Sequence, residues 1–199
     1  MFRSGTYAPF WARVAAIAVS LGAAGCLQSA VAGASNPLRA PSPCALLTAS
    51  EVSAVGVVDA RRRSIPSAQL LPMPPNGTGC DWVSPTAANR DRSTLFGVAV
   101  GLWDFRTAGA AWTARWGTKA KRYAVTLCTE KAPAGSGVTL PATHAMGRFG
   151  DYACATDTAV RIAKGPYFLV VSVGAGRASA STRNVVVKLA EKALERLTG

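Results

Sequence analysis

Ala159-Val160-Arg161-Ile162-Ala163-Lys164-Gly165-Pro166-Tyr167-Phe168-Leu169-Val170-Val171-Ser172-Val173 is the stretch that decides the fold. Tyr167 to Val173 is a run of aromatic and β-branched side chains, the types that pack best on a pleated surface. Lys164-Gly165-Pro166 joins it to a shorter strand over 159–163, so the two form a hairpin of an antiparallel sheet. Beyond it, Val186, Leu189, Ala190, Ala193, Leu194 and Leu197 recur on one helical face and predict an amphipathic helix over 182–197. Working back toward the N-terminus, 151–156 and 123–129 read as strands. Asp104 can cap a helix from Phe105 to about Lys119, in which Ala108, Ala111, Trp112 and Trp116 form an apolar stripe. Strands are predicted over 79–83 and 94–102, separated by a polar, turn-rich segment. The Arg61-Arg62-Arg63 run and the Pro- and Gly-rich passage over 66–79 read as a loop with room for one edge strand. Thr48 and Glu51 form a capping box ahead of a short helix reaching about Val55, with Leu47 and Val52 as a hydrophobic staple.

That order gives an α+β fold, an antiparallel sheet covered by helices. It runs as two similar helix-plus-strands halves, although no residue-level repeat accompanies them. At 199 residues the chain suits one exported domain and excludes a multidomain enzyme or a long repeat array. Charged residues make up only 16%, and five Trp, six Phe and four Tyr are spread along the chain, which argues against disorder.

The N-terminus carries Arg3 and Arg13, and no acid precedes Glu51. From Val14 to Leu27 it is apolar and small, the build of a secretory signal too short to span a membrane comfortably. Two cleavage sites compete. Ala23-Ala24-Gly25-Cys26 looks like a lipobox, which would remove residues 1–25 and leave Cys26 as an acylated N-terminus. Ala30-Val31-Ala32-Gly33-Ala34 offers A-x-A sites for ordinary signal peptidase, which would remove 1–34. A Pro- and Ser-rich tether over 35–43 then leads to a single α+β domain over 44–199.

Either cut leaves Cys44, Cys80, Cys128 and Cys154, an even number in an oxidising compartment, so two disulfides are expected. Three connectivities are open. Bridges from Cys44 to Cys80 and from Cys128 to Cys154 would close loops of 36 and 26 residues, each worth roughly 3 to 4 kcal/mol. There are no C-x-x-C pairs and no His and Cys clusters, so neither a metal nor any other cofactor is expected.

Several of these features occur together: a signal or lipobox, a Pro-rich tether, Cys44-Ala45-Leu46-Leu47-Thr48-x-x-Glu51-Val52, Gly79-Cys80-Asp81-Trp82, and a C-terminal Leu189-Ala190-Glu191-Lys192-Ala193-Leu194 helix. The combination resembles the bacterial secreted and lipoprotein families of unknown function typified by small actinobacterial envelope lipoproteins. In such proteins the Cys before Leu-Leu-Thr pairs with the Cys before the Trp. The resemblance therefore implies Cys44 with Cys80, which leaves Cys128 with Cys154. It also implies a compartment and a fold, and it supplies no activity.

Catalytic patterns are scarce. His144 is the only imidazole, no acid or Cys adjoins it in sequence, and G-x-S-x-G, S-x-x-K, H-E-x-x-H and P-loop motifs are absent. Asp151 and Asp157 flank a predicted strand, while Glu191 and Glu195 sit among Lys188, Lys192 and Arg196 as on a solvated helix face. The stronger signal is charge. Once Arg3 and Arg13 leave with the signal, 20 basic residues face 10 acidic ones, a net charge of +10. Arg61, Arg62 and Arg63 form one concentration; Lys119, Lys121 and Arg122, together with Arg115 and beside Trp112 and Trp116, form another. Outside the cytoplasm such charge attracts lipid headgroups, lipopolysaccharide phosphates or wall polymers rather than nucleic acid. The expectation is an exported cell-envelope protein that binds an envelope protein or an anionic lipid or polysaccharide without catalysis, attached to the membrane if Cys26 is acylated. The alternative is a small periplasmic hydrolase using His144 with Asp151.

Overall fold

The computed structural model describes residues 40–66, 77–85, 95–130, 142–176 and 178–198, which all lie within one compact unit of the chain. A 3-10 turn at Pro43–Ala45 opens the fold, and helix α1 follows at Ala49–Ala54. The capping box forms as the sequence predicts. The Glu51 backbone N–H donates to the Thr48 hydroxyl at 3.2 Å, and the Thr48 N–H donates to the Glu51 carboxylate at 2.8 Å. Both staple residues, Leu47 and Val52, lie in the core. Strands β1 (Arg61–Pro66), β2 (Thr78–Val83) and β3 (Leu95–Asp104) come next. Helices α2 (Ala110–Trp116) and α3 (Lys121–Thr129) are followed by β4 (His144–Ala145), β5 (Tyr152–Ala155), β6 (Ala159–Lys164) and β7 (Tyr167–Ala175). Helix α4 (Ala180–Thr198) closes the order.

The seven strands form one antiparallel sheet in the order β1-β2-β3-β7-β6-β5-β4. It is two meanders, β1-β2-β3 and β4-β5-β6-β7, joined where β3 pairs with β7. The central strands are buried on both faces, which is why β7 reads as a continuous apolar run rather than an alternating one. On β3, Val98, Val100 and Leu102 face one core while Trp103 faces a second. On β7, Leu169, Val171 and Val173 join the first, and Phe168 and Val170 the second. The first core takes Trp82 from β2 and Val186, Leu189, Ala190 and Ala193 from α4. The second is aromatic and takes Phe105, Ala120, Tyr123 and Ala124 from the α2–α3 layer. Helical layers therefore cover both faces of the sheet.

Each face carries one disulfide. Cys44–Cys80 fastens the opening 3-10 turn to β2, and Cys128–Cys154 fastens α3 to β5. Both bridges match the pairing that the resemblance implies.

Local structure differs from the sequence expectation in two places. Residues 121–129 form helix α3 rather than a strand: Tyr123, Ala124 and Cys128 bury one helical face, and tertiary packing outweighs the β-branched content of the segment. The helix expected over 105–119 is a 3-10 turn at Phe105–Thr107 followed by α2. The interruption lies at Gly109, and α2 stops at Gly117, whose φ of 79° closes the helix in a conformation that favours glycine. The Arg-rich passage does supply an edge strand, β1. At the start of the domain, Pro43 of the Pro-rich stretch is buried and Ala40 packs against the first core. The signal, both cleavage sites and residues 35–39 lie outside the described residues. Among the described residues no helix is long and apolar enough to cross a membrane.

Candidate functional site

The α2–α3 layer is built on a ring stack. Tyr123 of α3 meets Trp116 at 5.1 Å, Trp112 at 5.3 Å, Phe168 at 5.3 Å and Phe105 at 5.6 Å between ring centroids, mostly edge to face. Burial pushes the Tyr123 hydroxyl up to about 12. Trp112 and Trp116 bury their indole Nε1 atoms without a protein acceptor, so these rings serve as packing surfaces. The start of α3 is fixed by the β6–β7 turn: the Ala120 N–H donates to the Gly165 carbonyl at 3.0 Å, and the Gly165 N–H donates to Asp151 Oδ2 at 2.6 Å. Its other end is held by Cys128.

On this base lies an open cleft of about 680 Å³, lined by Trp116, Gly117, Thr118, Lys119, Lys121, Arg122, Val125 and Thr126. Of the cations that the sequence singles out, the structure brings Lys119, Lys121 and Arg122 together at this cleft. Arg115 adds a fourth nearby, its guanidinium 5.0 Å from the centroid of the Trp116 ring. No acidic residue appears among the lining residues. The ion pairs among the described residues are Arg63–Asp81, Arg106–Asp104, Arg148–Glu191, Arg183–Asp157, Lys192–Glu195 and Arg196–Glu51, and none involves a cation of α2 or α3. The first turn of α3 also has neither an acid nor a side-chain cap, so its positive dipole end adds to the same field.

The other predicted cations lie apart. Arg61, Arg62 and Arg63 are on β1, the sheet edge, whereas α3 packs on β5 and β6. Four strand spacings between β1 and β6 amount to about 19 Å. Strand alternation sends Arg61 and Arg63 to one face and Arg62 to the other. Arg63 is also committed to Asp81, donating from Nε at 3.0 Å and from its terminal nitrogen at 2.6 Å. The six cations thus form two groups, and the α3 group lines a concavity.

His144 and Asp151 occupy opposite ends of β5. His144 pairs with Ala155, while Asp151 precedes Tyr152, and four residues of strand separate the ends by about 13 Å. Asp157 pairs with Arg183, Glu191 with Arg148 and Glu195 with Lys192. Among the described residues no three His, Cys, Asp or Glu side chains gather where a metal ion would bind. Cys26 lies outside the described residues.

The lining residues that sequence inspection misses are Gly117, Thr118, Val125 and Thr126. Val125 and Thr126 follow Arg122 at i+3 and i+4, neighbours on a helix surface, and that spacing is their only sequence signal. Comparison with protein-family models, with curated proteins and with solved structures finds no match to the chain.

Proposed function

We propose that the protein is an exported cell-envelope protein whose role is non-catalytic binding of an anionic envelope component, with the α2–α3 cleft as its site. The observation that carries this reading is the set of three cations, without an acid among them, around a concavity whose aromatic wall is packed from beneath. The six ion pairs among the described residues lie elsewhere, so no acid offsets Lys119, Lys121 or Arg122 at the cleft. The two disulfides fit an oxidising, extracytoplasmic compartment. Attachment through an acylated Cys26 would hold the cleft near a lipid surface, and release after Ala34 would leave the protein free.

The test compares the mature domain on phosphatidylglycerol and on phosphatidylcholine vesicles across a salt series. The expected result is retention on the anionic vesicles that falls steeply with salt, because exposed charges are screened over about 8 to 10 Å. Retention should be lost in Lys119→Gln/Lys121→Gln/Arg122→Gln. Replacing Arg61 and Arg62 with Ser should have the smaller effect. A triple variant that binds as wild type at low salt would remove the cleft from the reading.

A further inference from the structure

We infer that the α2–α3 cleft takes a phosphate-bearing amphiphile of net negative charge one molecule at a time, with the phosphate among Lys119, Lys121 and Arg122 and the apolar part against Trp116 and Val125. This rests on the reading of the cleft as an anion-binding site and names the class of ligand. Three features separate an amphiphile from the other anions of an envelope.

The first is shape. A long polyanion is held by cations spaced along an extended track, whereas Lys119, Lys121 and Arg122 line one open hollow of about 680 Å³, within the usual range for a single small ligand. The second is the mixture of the lining. The Trp116 indole and the Val125 side chain share the wall with Lys and Arg, whose aliphatic stems also present apolar surface. An inorganic phosphate would leave that surface wet, and an uncharged lipid would leave the cations without a counter-charge. A head and a tail on one molecule satisfy both.

The third is rigidity. Trp116 is packed on Tyr123 and Trp112, with centroids at 5.1 and 6.1 Å, and Arg115 lies against the ring. The aromatic wall is formed before a ligand arrives, so the ordering cost of binding falls on the exposed Lys and Arg side chains and not on the ring. Thr126 adds a fixed polar group. Its hydroxyl donates to the Arg122 carbonyl at 3.1 Å and keeps its lone pairs as acceptors toward a headgroup hydroxyl.

The experiment is a two-dimensional NMR titration of the ¹⁵N-labelled, disulfide-intact domain with three probes: monomeric dihexanoyl phosphatidylglycerol, glycerol 3-phosphate as the head alone, and dihexanoyl phosphatidylcholine as the zwitterionic counterpart. The expected result is that phosphatidylglycerol shifts the α3 amides and the Trp116 indole signal, with each of the other probes at least about tenfold weaker. Trp116→Ala should weaken phosphatidylglycerol by a similar factor and leave glycerol 3-phosphate unchanged. Val125→Ser carries the same comparison if the Trp variant fails to fold. Equal binding of phosphatidylglycerol and glycerol 3-phosphate at the cleft would overturn the amphiphile and leave an anion site standing. Equal binding of phosphatidylcholine, or shifts confined to other surfaces, would overturn both.

Discussion

The Cys128–Cys154 bridge links stability to the cleft in a way that Cys44–Cys80 does not. The cleft is carried largely by α3, which has nine residues, of which Tyr123, Ala124 and Cys128 are buried. A helix of that length has almost no stability of its own, so its position depends on the aromatic stack, on the β6–β7 turn, and on the bridge to β5. With a sequence separation of 26, the chain-entropy relation gives about 3.5 kcal/mol for this bridge; the separation of 36 for Cys44–Cys80 gives about 3.8 kcal/mol. For a domain of this size a loss of 3.5 kcal/mol lowers the Tm by roughly 7 to 14 °C. The two double variants, Cys128→Ala/Cys154→Ala and Cys44→Ala/Cys80→Ala, should therefore lose similar global stability in urea melts. They should differ locally. In the first, amide exchange across α3 should speed up beyond the global loss, and retention on anionic vesicles should fall. In the second, the exchange gain should lie around the opening turn and β2, with retention unchanged. If α3 stays as protected as the sheet in the first variant, or if vesicle retention falls equally in both, the bridge is not what holds the cleft.

Further outcomes are expected from other contacts. The Arg196 guanidinium donates to both Glu51 oxygens at 2.7 and 2.8 Å and holds that carboxyl down at about 2, from an ordinary 4.5. Its stabilisation should be complete above about pH 4.5 and disappear as pH falls toward 2. Glu51→Gln should cost roughly 1 to 2 kcal/mol at pH 7, after discounting for solvent screening, and close to nothing at pH 2; urea melts at the two pH values check this, and an equal cost at both would refute it. A Cβ at Gly101 would enter the Trp103 ring at Cη2 and Cζ3, so Gly101→Ala should cost about 1 to 3 kcal/mol by overpacking. A midpoint within error of wild type would mean that the ring moves aside freely. Thr48→Ala removes the α1 cap and should cost about 1 kcal/mol, read from the same melts.

Much of the fold was legible because its elements carry short-range signals that packing leaves intact. The capping box at Thr48 and Glu51, the hairpin around Gly165 and the apolar face of the last helix each depend on spacing within a few residues, and each forms. Edge strand β1 gave a weaker signal: its Arg-rich sequence has no alternation, and its place is set by β2, with Arg63 opposite Asp81. The split near Gly109 and Gly117 was hidden by Trp112 and Trp116, whose spacing fits one longer helix as well as it fits α2.

The cleft was hidden for a related reason, and one misread element accounts for it. Tyr123-Ala124-Val125-Thr126-Leu127-Cys128-Thr129 carries the residue types of a strand. As a strand, Arg122 and Val125 would point to opposite faces, and the basic run beside them would be a surface patch without walls. As a helix, Arg122, Val125 and Thr126 fall at i, i+3 and i+4 on one side, while Tyr123 and Ala124 turn into the aromatic core and Cys128 meets β5. The same rotation that buries Tyr123 under Trp116 thus places the cations beside its ring. The charge cluster was visible in composition, but its placement along an open cleft beside Trp116 depends on the helical period, which the core imposes.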